Sequence, residues 1–233
     1  MAAGHWEGGS IRILEERRDA MKKASNIEIY GVLLAAGLST RMGAPKLILD
    51  MGGGPLIEWA IRAALGAGLT RVIVVTSGRD RLIGRSLDNW SGDPRLLRVQ
   101  NPRPELGMAS SMRVGLAAVS PNAAGAMILL ADQPLITPAV IDRLLAEFAR
   151  CPDRIVTPTV QGRRTTPVTL PADLFGELLR VEGDVGGKPV LKANAHRILP
   201  VELGSQYDDR DVDTPQEAAD TAEEIRVKGL RAP

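Results

Sequence analysis

Residues 29–46 read Ile29-Tyr30-Gly31-Val32-Leu33-Leu34-Ala35-Ala36-Gly37-Leu38-Ser39-Thr40-Arg41-Met42-Gly43-Ala44-Pro45-Lys46. The first eight are apolar or small without alternation, as in a strand covered on both faces. Gly37 ends the run. The loop after it combines Gly37, Arg41, Gly43 and Pro45-Lys46. Small residues let the backbone approach a ligand, their N–H groups can hold phosphate oxygens, and Arg41 and Lys46 add positive charge. The loop is a triphosphate cradle by composition but not a P-loop. Five residues separate its glycines, and Gly43 is not followed by Lys-Ser or Lys-Thr. The missing G-x-G-x-x-G disfavours a dinucleotide-dependent dehydrogenase.

Outward from this strand the pattern repeats. Pro55–Ala67 reads as a helix, with Pro55 near its first turn and glycines at its end. Strands are expected at 71–76, 96–99 and 126–131, and helices at 79–90, 109–119 and 138–149. This β-α alternation with wholly apolar strands predicts a mostly parallel sheet between two helical layers. From 154 the pattern changes. Strands at 155–157 and 167–170 flank a polar turn, Gln161–Arg164. Short helices near 174–179 and 188–194 and a strand near 198–203 follow. Thr214 is the expected N-cap of a last helix opening at Pro215. Residues 28–228 are read as a single domain. Residues 1–27 are read as a flexible or helical extension, and 229–233 as a tail.

Composition narrows the function. The net charge is +1 and aromatics make up 3% of the chain, which argues against a dedicated nucleic-acid or membrane-surface binder. A lone cysteine, Cys151, and two histidines, His5 and His196, exclude a disulfide framework and disfavour a zinc centre. With no signal-peptide pattern and no membrane-length apolar window, a cytoplasmic protein is expected.

Ligands of open α/β sheets bind beyond the carboxyl ends of the strands. Two further segments carry chemistry there. In Leu129-Leu130-Ala131-Asp132-Gln133-Pro134 a carboxylate tips an apolar strand and needs a partner. A divalent metal beside phosphates would supply one. In Asp211-Val212-Asp213-Thr214-Pro215 a second carboxylate precedes a helix. Octahedral Mg²⁺ takes one or two protein carboxylates and completes its shell with phosphate oxygens and water.

LLAAGLSTRMGAPK, LADQP and DVDTP, in that order, resemble the MobA-like nucleotidyltransferase family, and within it the molybdenum cofactor cytidylyltransferases. The resemblance covers roughly residues 29–226. It implies a three-layer α/β/α Rossmann-like nucleotidyltransferase fold with a mixed, mostly parallel sheet. It implies a nucleotide held by Leu34, Ala35, Ala36 and Gly37, with Arg41 and Lys46 on its phosphates, and Mg²⁺ as cofactor on Asp132 and Asp213. Arg41, Lys46 and Asp132 are thereby the expected catalytic residues. The stretch Gly107-Met108-Ala109-Ser110-Ser111-Met112-Arg113-Val114-Gly115-Leu116 resembles the part that helps hold the base, and the expected nucleotide set includes Asn101, Gly107, Ser110 and Ser111. In this family Leu-Ala-Ala-Gly goes with CTP and Leu-Ala-Gly-Gly with GTP; Ala36 favours CTP.

Arg164-Thr165-Thr166-Pro167 stands where the cytidylyltransferases usually carry Arg-Gly-His-Pro. Glu182-Gly183-Asp184-Val185-Gly186-Gly187 resembles the family's Gly-Asp-x-Gly loop near the acceptor. Arg164, Thr166, Pro167, Asp184 and Gly186 are therefore the expected acceptor-side residues. The expected reaction moves CMP from CTP to Mo-molybdopterin, giving molybdopterin cytosine dinucleotide and pyrophosphate, with a recipient molybdoenzyme as partner. The threonine pair keeps two alternatives open: GTP or another phosphorylated acceptor such as a sugar phosphate, or a non-catalytic nucleotide- or cofactor-binding chaperone.

Overall fold

The computed structural model describes residues 27–37, 45–79, 81–204 and 207–227. The N-terminal extension apart from Ile27, Arg41 with its neighbours 38–44, and the tail lie outside these residues.

The strands are β1 (Ile29–Ala35), β2 (Arg71–Thr76), β3 (Leu96–Gln100), β4 (Gly125–Leu130), β5 (Ile155–Val160), β6 (Arg163–Arg164), β7 (Val168–Pro171) and β8 (Ile198–Glu202). The helices are α1 (Leu56–Gly66), α2 (Arg81–Asp88), α3 (Met108–Ala117), α4 (Pro138–Arg150), α5 (Phe175–Leu178), α6 (Lys188–Ala193) and α7 (Pro215–Val227). They form one mixed sheet in the order β3-β2-β1-β4-β7-β5-β6, with β8 paired to β5. β1 is parallel to both β2 and β4, so the chain runs outward on one side of β1 and returns on the other. That reversal opens a crevice between the carboxyl ends of β1 and β4.

The apolar strands bury both faces, as their lack of alternation requires. Leu33, Val74, Met127 and Leu129 pack with Leu56, Ile57, Ile61, Leu144 and Phe148 of α1 and α4. Val32, Ile73, Val75 and Ile128 pack with Met112 and Leu116 of α3 on the other side. A Cβ at Gly115 would stand 2.3 Å from Val32 Cγ1. Only glycine lets α3 lie this close to the sheet.

The region after residue 154 departs from expectation. The turn is Gln161-Gly162 alone, both with positive φ (50° and 76°), the pairing a two-residue hairpin requires. Arg163 and Arg164 fold back on β5 as β6. β7 inserts antiparallel between β4 and β5. At the far end Thr214 caps α7 as expected. Its Oγ1 accepts from Glu217 N at 3.2 Å, and Glu217 Oε2 accepts from Thr214 N at 2.9 Å. This is a reciprocal capping box. Among the described residues no helix is long and apolar enough to cross a membrane.

Candidate active site

The crevice holds a cavity of about 410 Å³, lined by Leu34–Gly37 at the end of β1, Leu130 and Asp132 at the end of β4, and Lys46, Gly107, Ser111 and Asp184. Lys46 opens a single 3₁₀ turn pinned by buried Leu47. Its Nζ donates to Asp132 Oδ2 at 2.7 Å and to Asp213 Oδ1 at 2.6 Å. Burial works against the ammonium, but the hydrogen bonds and charges of Asp132 and Asp213 outweigh it and raise the lysine above its ordinary pKa. Asp132 is therefore paired, with Lys46 as its partner.

Each carboxylate is set by local structure. Ala131 N donates to Leu34 O, tying the end of β4 to the end of β1. Asp132 O accepts from Val212 N at 2.9 Å, which lays the segment before α7 beside the β4 end. Asp213 N donates to Glu217 Oε2 at 2.7 Å, so the capping box also orients the second carboxylate. Asp211 lies nearby. Burial and the charge of Asp132 push its carboxyl above the ordinary range, against the pull of the Gln133 amide.

Asp132 Oδ1 is buried and has no hydrogen-bond partner. Buried carboxylate oxygens are normally satisfied, so this atom fits a cation. The donors suit one that prefers oxygen: two carboxylates beside a cavity able to bring phosphate oxygens.

Asn101 follows β3 and is 1% exposed. Its Nδ2 donates to Ser110 Oγ at 2.8 Å and Ser111 Oγ at 3.0 Å. Of this trio, Ser111 lines the cavity; Asn101 and Ser110 stand behind it and fix the start of α3. Gly107 has φ +84°, and a Cβ there would meet Asp184 N at 2.8 Å. That closeness lets Asp184 Oδ1 accept from Met108 N at 3.0 Å and Gly183 O accept from Ala109 N at 3.1 Å. The loop carrying Asp184 thus caps α3 at the cavity wall. Gly186 packs under Met108, whose Sδ would lie 2.9 Å from a Cβ there.

The other expected acceptor residues stand apart from this cavity. Arg164 is exposed on β6, and Pro167 is buried after a cis Thr166-Pro167 bond. Thr166 Oγ1 donates to Gln133 Oε1 at 2.8 Å. Gln133, Met108, Pro104 and Glu105 were not among the expected site residues. The last three line the cavity. The available signal for Gln133 was its place directly after Asp132.

A nucleotide-sized cavity at the reversal point, with a glycine-ended strand, a lysine and two carboxylates, defines a Rossmann-like α/β protein built for a phosphate-bearing ligand. Residues 31–198 match the model of the MobA-like NTP transferase domain, and the chain belongs to that nucleotidyltransferase family. It is 32% identical over 201 residues to the purine catabolism protein PucB of Bacillus subtilis, covering 81% of this chain and 93% of that protein. It is 34% identical over 119 residues to a molybdenum cofactor guanylyltransferase of Xanthomonas euvesicatoria, covering 50% of this chain and 53% of that one. Among solved structures, Rv0371c of Mycobacterium tuberculosis superimposes with a TM-score of 0.71 at 26% identity, covering 84% of this chain and 98% of that one. That protein has also been solved in complex with manganese, at 25% identity and a TM-score of 0.68 over the same coverage.

Proposed function

We propose that this nucleotidyltransferase moves CMP from CTP to the phosphate of Mo-molybdopterin and releases pyrophosphate. The observation that carries the reading is the Lys46 ammonium bracketed by Asp132 and Asp213 at the mouth of the Leu34–Gly37 loop. The family membership supports nucleotidyl transfer, and Ala36 supports CTP. The relative that acts on molybdenum cofactor supports the acceptor class.

In this reading a phosphate oxygen of the acceptor attacks the α-phosphorus of CTP, the bond to the bridging oxygen breaks, and pyrophosphate leaves with that electron pair. The acceptor phosphate is already an anion, so no side-chain nucleophile is required. The protein contributes position and charge. Backbone groups of Leu34–Gly37 cradle the triphosphate, and Lys46 and Arg41 offset its charge. Ser111, held by Asn101, and Gly107 face the base. Asp184 faces the acceptor from the loop over α3. Asp132 and Asp213 would hold Mg²⁺, with Asp132 Oδ1 as the open ligand atom. When bound, that ion supplies Lewis-acid polarisation of phosphate oxygens.

The test is pyrophosphate release with Mg²⁺ and each of CTP, GTP, ATP and UTP, with and without Mo-molybdopterin. Release with CTP in the presence of the pterin is the expected result. Release with a different nucleotide, or with sugar phosphates in place of the pterin, would replace the assignment.

A further inference from the structure

Gln133 is 3% exposed, yet both ends of its amide are engaged, by two distant stretches of chain. Its Nε2 donates to Asp211 Oδ1 at 2.9 Å and to Asp209 O at 3.1 Å. Its Oε1 accepts from Thr166 Oγ1 at 2.8 Å. Turning the amide over would set its carbonyl oxygen against a carboxylate and a backbone carbonyl, a repulsive arrangement, so the orientation is fixed. The adjoining backbone adds the bond from Val212 N to Asp132 O. Residues 209–212 are therefore held at three points by residues 132–133. The next residue is Asp213, whose carboxylate meets Asp132 across the Lys46 ammonium.

The turn on the other side of Gln133 belongs to the same network. Thr165 Oγ1 donates to Asp209 Oδ2 at 2.5 Å, and Arg163 Nη2 donates to both Asp209 oxygens at 2.7 and 3.0 Å. Residues 163–166 and 209–212 thus form one hydrogen-bonded unit with Gln133 between them. Gln133 does not line the cavity, and Thr166 does not either.

The geometry points to Gln133 as a positioning residue that sets Asp213 against Asp132, with Thr166 acting on that pair through Gln133 rather than by touching the acceptor. The inference rests on the reading that the two carboxylates hold a divalent cation. It assigns a use to the threonine that stands where the resembling enzymes carry histidine. Partners that orient metal ligands typically change metal affinity 10- to 100-fold when removed. The lower figure applies here, because Gln133 acts through Asp211 and the backbone.

The test uses the full chain and Mn²⁺ as probe, with free Mn²⁺ read by electron paramagnetic resonance at saturating CTP. Thr166→Val should weaken Mn²⁺ binding about tenfold, and Thr166→Ser should restore it. Gln133→Ala should weaken it at least as much. The double variant should be no weaker than Gln133→Ala alone, because one path cannot be cut twice. CTP affinity without metal should stay within about twofold in every variant, which a general loosening of the site would not allow. Wild-type Mn²⁺ affinity in Thr166→Val, or losses that multiply in the double variant, would overturn the inference. A parallel fall in metal-free CTP affinity would do the same. If Gln133→Ala fails to fold, the Thr166→Val and Thr166→Ser pair still decides. Absence of CTP-dependent Mn²⁺ binding in the wild type would instead remove the cation reading itself, and the inference with it.

Discussion

Lys46 Nζ lies 2.7 Å from Asp132 Oδ2, joining the loop after β1 to the end of β4 across 86 positions of sequence. The same ammonium reaches Asp213 Oδ1 at 2.6 Å, 167 positions away. Three segments that are separate in the chain converge on one charged centre beside the cavity. The proposed chemistry depends on that convergence.

Asp132→Asn tests the carboxylate whose Oδ1 is buried and open. The amide keeps the shape but loses the charge a cation needs. Turnover (kcat/KM) should fall at least about 100-fold, equivalent to about 2.7 kcal/mol of transition-state stabilisation. The melting temperature should stay within a few degrees of wild type. Near-normal turnover with intact fold would remove Asp132 from the reaction.

Lys46→Met removes the ammonium from between the two carboxylates. A fall in kcat/KM of about 100-fold is expected, as for loss of one donor at a developing charge. The lysine's pKa is raised in the fold. Its pairing energy is therefore fully present below the ordinary lysine value of about 10.4 and is lost only as pH rises through the higher folded value. The ratio of wild-type to variant activity should be flat from about pH 6 to 9. A ratio that changes within that window would contradict the assignment.

Much of this was legible in the sequence, and the rest was hidden for physical reasons. β1, β2 and β4 announce themselves because strands buried on both faces carry unbroken apolar runs, as in Val72-Ile73-Val74-Val75. The place of β7 does not, because the pairing of a four-residue strand is set by the Gln161-Gly162 turn and by its neighbours. Lys46, Asp132 and Asp213 stood out as charges at element ends. Their direct contact is not visible there: the residue types point Lys46 to phosphate and the aspartates to metal, and no local pattern reports a bond across 86 residues. Gln133 carries no such signal, since an uncharged amide says nothing until its burial is known. Arg41 falls outside the described residues, so its role stands as proposed.

Gly107→Ala tests the fit between α3 and the loop carrying Asp184. The position has φ +84°, and the added Cβ would stand 2.8 Å from backbone atoms of Gly183 and Asp184. Backbone strain of this kind costs about 1–3 kcal/mol. The melting temperature should fall by roughly 2–10 °C in a chain of this length. An unchanged melting temperature would show that the loop yields freely.

Asp209→Asn tests the anchor of the β5–β6 turn through pH. Burial alone would raise the Asp209 carboxyl, but hydrogen bonds from Thr165 and Arg163 bring it below its ordinary value. Its contribution is present above the unfolded value near 4 and is lost as pH falls through the lower folded one. Arg163 is largely exposed, so the contribution is discounted to about 0.5–1 kcal/mol. The variant should melt a few degrees lower at about pH 7, and the gap should narrow as pH falls below about 4 and the wild-type carboxyl takes up its proton. A difference that persists in acid would assign the effect to packing.

The most direct test of nucleotidyl transfer follows the two ends of the triphosphate. The wild-type protein is incubated with Mg²⁺, Mo-molybdopterin and CTP labelled either at the α- or at the γ-phosphate. Label from the α-phosphate should appear in the pterin product and label from the γ-phosphate in pyrophosphate. Label from the γ-phosphate in the product, or α-label that stays in CTP while the protein binds it, would contradict the account.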